Sequence, residues 1–106
     1  MQKYLYYGSY TAEGYKGLMA EGGSKRAEAV QKALEGIGGS VESFYFALGE
    51  NDFYVIINLP DNVSVAAFSL AANKSGTFNM KTVVLLTPEE IDQAIKKTVD
   101  YRAPGQ

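Results

Sequence analysis

The chain has 106 residues, and its apolar fraction of 46% and charged fraction of 21% are typical of a globular protein and not of a disordered one. Ten Lys and Arg against twelve Asp and Glu give a net charge of −2, which excludes a broad basic surface for nucleic acid. The sequence contains neither Cys nor His, so disulfides, thiolate nucleophiles, Cys-based metal sites and the usual general base are excluded. A chain of this length predicts a single domain over residues 1–106.

The first third of the chain predicts one strand and two helices. Aromatic and β-branched residues alternate over Tyr4–Thr11, which favours a strand. A helical pattern follows over Ala12–Glu21 until a pair of glycines interrupts it. Ser24 is predicted to cap a second helix over Lys25–Ile37, which two further glycines end.

The rest of the chain predicts a hairpin, two more helices and a fourth strand. Strands are expected over Val41–Leu48 and Phe53–Leu59, joined by a turn of Gly, Glu, Asn and Asp. A nearly all-apolar helix over Val63–Asn73 is expected to be buried on more than one side, and a strand over Phe78–Leu86 follows it. The run Thr87-Pro88-Glu89-Glu90 carries a capping box that predicts the start of a last amphipathic helix.

The order β-α-β-β-α-β with an extra C-terminal helix predicts an α+β domain of the ferredoxin-like class. Its four-stranded antiparallel sheet would carry helices on one face, and the other face should be polar in a monomer. Both alternating sets of strand residues are apolar instead, which makes a larger patch than monomers expose. Either the extra helix folds across this face, or a second copy packs on it with contacts such as Phe46. A second copy of the chain is favoured, because one helix covers only part of a sheet.

The start of the predicted second helix offers a candidate anion site. Lys25 and Arg26 lie in its first turn, where cations oppose the helix dipole unless an anion binds the free amides. Ser24, Lys25 and Arg26 are therefore candidate ligand-binding residues. The alternative is that the two cations pair locally with Glu21 or Glu28.

Tyrosine is concentrated at the N-terminus. Tyr4, Tyr6 and Tyr10 share one side of the predicted first strand, and phenol donors around an apolar cavity would suit a small, partly apolar ligand. Tyr6, Tyr10, Tyr45 and Asp52 complete the candidate ligand-binding residues. The alternative for the tyrosines is cross-strand packing with hydroxyls that reach the rim.

Other classes of site and partner find no support in the sequence. No metal-ligand cluster and no nucleotide-binding glycine motif is found, so neither a metal nor a cofactor is predicted. No apolar run approaches the roughly 20 residues of a spanning helix, and no signal segment is recognised. We expect a cytoplasmic protein without membrane or nucleic-acid partners.

Several segments resemble the GYD-domain family of small bacterial and archaeal proteins. The stretches that carry the resemblance are YLYYGSYTAE from Tyr4, GGSKRAEAV from Gly22, FYFALGEND from Phe44, LPDN from Leu59 and KTVDYRAPGQ from Lys97. The chain has Asn51 in the turn where the family name implies a tyrosine. The resemblance implies a dimeric α+β barrel and no established activity.

Three functions remain open. The favoured one is a small-molecule binding module, with an anionic ligand as one option. The second is a cofactor-independent enzyme of the dimeric α+β-barrel type, with tyrosines, Lys25, Arg26 or Asp52 polarising the substrate or transferring a proton. The third is an assembly protein without a ligand. Self-association as a homodimer or larger homo-oligomer is expected with each of them.

Overall fold

The computed structural model describes all 106 residues, and its eight elements follow the predicted order. The strands are β1 (Gln2–Tyr10), β2 (Ser40–Phe46), β3 (Phe53–Leu59) and β4 (Phe78–Leu85). The helices are α1 (Ala12–Glu21), α2 (Gly23–Glu35), α3 (Asn62–Lys74) and α4 (Pro88–Ile95). None of these helices combines the length and apolarity that crossing a bilayer requires.

The four strands form one antiparallel sheet in the order β2-β3-β1-β4. The first strand of the chain is therefore central, with β3 on one side and β4 on the other. The prediction of an α+β, ferredoxin-like arrangement with a C-terminal helix is confirmed.

Strand register separates two faces of the sheet. Tyr4 and Tyr6 of β1 pair with Ile57 and Val55 of β3, and this side carries the buried core together with Leu34 of α2. The alternating residues point to the opposite side, which no helix covers. We call that side the open face, and its apolar residues include Leu5, Tyr7, Tyr45, Tyr54, Ile56 and Val83.

A bulge in β2 changes which of its side chains meet the helices. The register shifts between Val41 and Ser43. Val41 and Phe44 therefore pair with Ile57 and Val55 of β3, and both lie on the helix-covered side. Phe46 is on that side as well, with its ring against Gly23 of α2. Its expected position between two sheets is wrong, because alternation alone does not tell which of two apolar sets meets the helices.

The second helix begins at Gly23, and the predicted cap at Ser24 is wrong. Gly22 adopts φ +92°, which favours glycine, and it both ends α1 and caps α2. Its N–H donates to the Leu18 carbonyl, and its own carbonyl accepts from the Arg26 N–H at 3.2 Å. Because one glycine makes the whole break between the helices, Ser24 lies inside the first turn.

Helix α3 is less buried than its composition predicts. Its only buried residue is Val65, which packs in the core below the helix. Val63 and Leu70 are exposed to solvent. Burial on more than one side is therefore wrong for this helix, because no second layer lies over it.

Helix α4 does not cover the open face. It has the predicted capping box, in which Thr87 Oγ1 accepts from the Glu90 N–H and the Glu90 carboxylate accepts from the Thr87 N–H. None of its residues is buried, and Ile91 and Ile95 are 45% and 76% exposed. The molecule is 57 Å long with a radius of gyration of 17.0 Å, against about 13 Å for a compact chain of this length. The helix leaves the open face uncovered within one chain.

Candidate functional site

A cleft runs between α2 and α3 above the helix-covered side of the sheet. Its volume of about 520 Å³ lies within the range of small-molecule sites. Small side chains form both walls, with Ala29 and Ala33 from α2 and Ala67 and Ala71 from α3. Because alanines do not reach across the gap, an open space remains between the two helices.

The floor of the cleft is aromatic. The Tyr10 ring lies 5.5 Å from the ring of Phe53 and 6.0 Å from that of Phe78, and Tyr6 stacks on Phe68 of α3 at 5.3 Å. Fifteen of the eighteen lining residues are apolar or aromatic. The floor therefore suits the apolar part of a ligand.

Most polar side chains in the cleft already have partners. The Tyr6 hydroxyl donates to the Val65 carbonyl at 3.1 Å and lies 3.1 Å from Ser69 Oγ. Burial raises the pKa of Tyr6, so its phenol is neutral at physiological pH. The hydroxyls of Ser75 and Thr77 pair with each other at 2.7 Å. The structure contains no group of three or more Asp or Glu that could hold a metal ion.

Arg26 and Tyr10 are the exceptions, at one end of the cleft. Arg26 Nε is buried and has no hydrogen-bond partner, and the Glu21 Oε2 atom is 3.7 Å away, beyond hydrogen-bond distance. The Tyr10 hydroxyl makes no hydrogen bond within the chain, and the main-chain N–H of Tyr10 donates to Asp52 Oδ2. Burial raises the pKa of Tyr10 despite the nearby guanidinium. The Arg26 Nε atom and the Tyr10 hydroxyl therefore lack hydrogen-bond acceptors, although the Arg26 guanidinium forms an ion pair with Glu21.

Asp52 lies outside the cleft and forms hydrogen bonds with β1 and α1. Its Oδ2 atom accepts from the Tyr10 N–H at 2.9 Å and from the Tyr15 hydroxyl at 2.6 Å. The N–H of Asp52 donates to the Gly8 carbonyl at 2.7 Å. The hydrogen bond to Asp52 raises the pKa of Tyr15, which stays protonated as the donor. Asp52 thus joins the β2–β3 turn to β1 and α1.

Replacement of Asp52 by Ala is expected to lower the free energy of unfolding by about 1–3 kcal/mol, because the half-buried Tyr10 N–H loses its acceptor. Urea unfolding measures the difference. Tyr15→Phe, which removes only the bond from the exposed hydroxyl, is expected to cost less. Equal stability of Asp52→Ala and the wild type would contradict this role.

The structure distributes the seven predicted site residues over four places. Arg26 lies three, four and seven residues before Ala29, Val30 and Ala33 of α2, so it shares their helix face and turns into the cleft. The placements are these: Tyr6, Tyr10 and Arg26 line the cleft, Ser24 and Lys25 are exposed on α2, Tyr45 is exposed on the open face, and Asp52 follows the β2–β3 turn.

Sequence reasoning missed the alanines that form the walls. Alanine is common in helices, so a single one attracts no functional interpretation. The available signal was their spacing, since Ala29 and Ala33 are four residues apart on one helix and Ala67 and Ala71 are four apart on the other. Each pair therefore lies on one helix face.

A protein-family model described as GYD domain matches residues 4–95 of the chain. The matched span contains almost all of the sheet, both walls of the cleft and the whole of α4. No curated protein and no solved structure matches the chain.

Proposed function

The chain belongs to the GYD domain family, and we propose that this member is a small-molecule binding module that works as a homo-oligomer. The observation that carries the proposal is the 520 Å³ cleft, with its aromatic floor and two free donors at one end. Sites for small molecules typically combine a concave apolar surface with a few polar groups that fix the orientation of the ligand.

The side chains of the cleft favour binding over proton-transfer catalysis. The Arg26 guanidinium donates hydrogen bonds and accepts none, and burial raises the pKa values of Tyr6 and Tyr10. All three side chains therefore donate hydrogen bonds at neutral pH, and no Asp, Glu or Lys lines the cleft. A cofactor-independent enzyme needs a group that accepts a proton, whereas a binding module needs none.

The small size of the core gives further support. Only ten of the 106 residues are buried, and Tyr10, Phe68 and Phe78 at the cleft are only half-buried. A ligand with an apolar body would remove this surface from water, which stabilises by about 25 cal/mol per Å² of apolar area. The ligand would then complete the packing between α2 and α3.

Titration with octanol, a neutral amphiphile, tests the cleft without any contribution from ligand charge. Protein-observed NMR is expected to show shifts at residues of the cleft. Ala71→Phe is expected to weaken the binding of octanol by about tenfold, since the added ring occupies space that the ligand needs.

Ala66→Phe is the matched control, because Ala66 is an exposed alanine of the same helix that does not line the cleft. It is expected to bind octanol as the wild type does. Absence of octanol binding to the wild type, or equal weakening in both variants, would count against a binding function of this cleft.

We also propose that the open face pairs with the open face of a second copy. Tyr45, Tyr54 and Val83 are exposed together there, although the free face of an antiparallel sheet is normally polar. Exposed apolar surface of this kind is typical of an interface. Ile91 and Ile95 of α4 add a second exposed apolar surface to the same chain.

A further inference from the structure

A second, smaller cavity adjoins the cleft at Arg26. Its volume is about 60 Å³, enough for a compact polar group. Tyr10, Arg26 and Thr77 line both spaces, which therefore meet at these three side chains. We call the smaller space the polar annex, and its remaining lining residues come from α1: Gly14, Gly17, Leu18 and Glu21.

Two hydrogen-bond donors without partners meet where the two spaces join. Arg26 Nε is buried and unpaired, and the Tyr10 hydroxyl has no partner within the chain. The hydroxyls of Ser75 and Thr77, by contrast, are paired with each other. Arg26 Nε is the buried one of the two, and a buried donor that stays unpaired costs free energy, so a ligand group with acceptor oxygens is favoured at this point.

The charges around the annex limit the charge of that ligand group. Glu21 and Arg26 have side chains that are each 33% exposed, and a partly exposed ion pair of this kind contributes little. An anionic group can therefore replace Glu21 on the guanidinium. Lys25 lines neither space, so a second negative charge would lie near Glu21 without a second cation.

We propose that the site takes a monocarboxylate with an apolar body. The carboxylate lies in the polar annex on Arg26 and Tyr10, and the apolar body lies along the aromatic floor of the cleft. A carboxylate is planar and offers two acceptor oxygens, which match the donor fork of a guanidinium. This inference rests on the binding function proposed above and adds the chemical class of the ligand.

Calorimetric titration with octanoate, octanol and octyl phosphate compares three head groups on one apolar body. The buffer is free of other carboxylates and phosphates, at a pH where the phosphate carries two charges. The wild type is expected to bind octanoate at least about tenfold more tightly than octanol, since a charge-assisted hydrogen bond outweighs a neutral one. It is expected to prefer octanoate over octyl phosphate by a similar factor, because the second charge of the phosphate would lie near Glu21.

Variants of the two donors assign the preference to the annex. Arg26→Gln is expected to remove the preference for octanoate over octanol, since the charged donor is lost. Tyr10→Phe is expected to reduce the preference for octanoate. Lys25→Gln removes a neighbouring exposed cation that lines neither space, and it is expected to bind all three compounds as the wild type does.

The outcomes separate this inference from the function on which it rests. Equal binding of octanoate and octanol, or a preference for octanoate that persists in Arg26→Gln, would overturn the monocarboxylate and leave the binding function in place. Tightest binding of octyl phosphate would also overturn it, in favour of a doubly charged head group. Failure of all three compounds to bind the wild type would overturn both.

Discussion

Val83→Asp is expected to be a monomer at micromolar concentration, because the proposed pairing of two open faces would bury its charge. Val83 pairs with Leu5 on the open face and is 41% exposed in the single chain, so the charge is tolerated there. Between two open faces the same carboxylate would be buried without a partner, and a buried unpaired charge costs about 3–5 kcal/mol. Light scattering should then give the mass of one chain, 11.5 kDa.

Leu70→Asp is the matched control for this variant. Leu70 is 73% exposed on α3, which lies over the opposite side of the sheet. The same charge at that position is expected to leave the mass of the assembly unchanged. A wild type that scatters as a single chain, or equal masses for the two variants, would contradict self-association through the open face.

Gly8→Val is expected to lower the free energy of unfolding by at least about 3 kcal/mol. Gly8 is buried in the central strand, where it pairs with Phe53 and Met80. A Cβ at this position would overlap the Asn79 carbonyl oxygen and lie 3.0 Å from the Met80 Cα. Because these are main-chain atoms that cannot turn away, the pairing of β1 with β4 would have to open. Urea unfolding followed by circular dichroism measures the loss.

Gly17→Ala is the control, and it is expected to change the free energy of unfolding in the opposite direction. Gly17 lies within α1, and a Cβ there would meet no atom within 4 Å. The substitution is expected to raise the free energy of unfolding by about 0.5–1 kcal/mol, because Ala has the higher helix propensity. Wild-type stability of Gly8→Val would contradict the close approach of β1 and β4.

The order of elements is predictable because each element carries its own local signal. The Thr87–Glu90 capping box forms as the sequence indicates, and Asp61 caps α3 by accepting from the Ser64 N–H at 2.9 Å. Alternation in β1 places Tyr4 and Tyr6 on the core side. Such signals act over a few residues, so they do not depend on what packs above them.

The site is only partly predictable, because it depends on how elements are placed relative to one another. The spacing to Ala29 and Val30 brings Arg26 into the cleft, whereas its neighbour Lys25 is exposed. The cleft itself is a gap between two helices that are distant in sequence, and no local pattern encodes a gap. For the same reason, alternation alone did not reveal that Tyr45 faces away from the cleft.

The central place of β1 has a consequence for the synthesis of the protein. This strand leaves the ribosome before the other three, yet both of its neighbours follow much later in the chain, since Gln2 pairs with Leu59 and Lys3 pairs with Leu85. Pairing across such separations requires long loops to close before any contact forms, which slows folding. The tyrosine-rich strand therefore stays without partners until β3 has emerged, and the sheet is completed only when β4 has emerged.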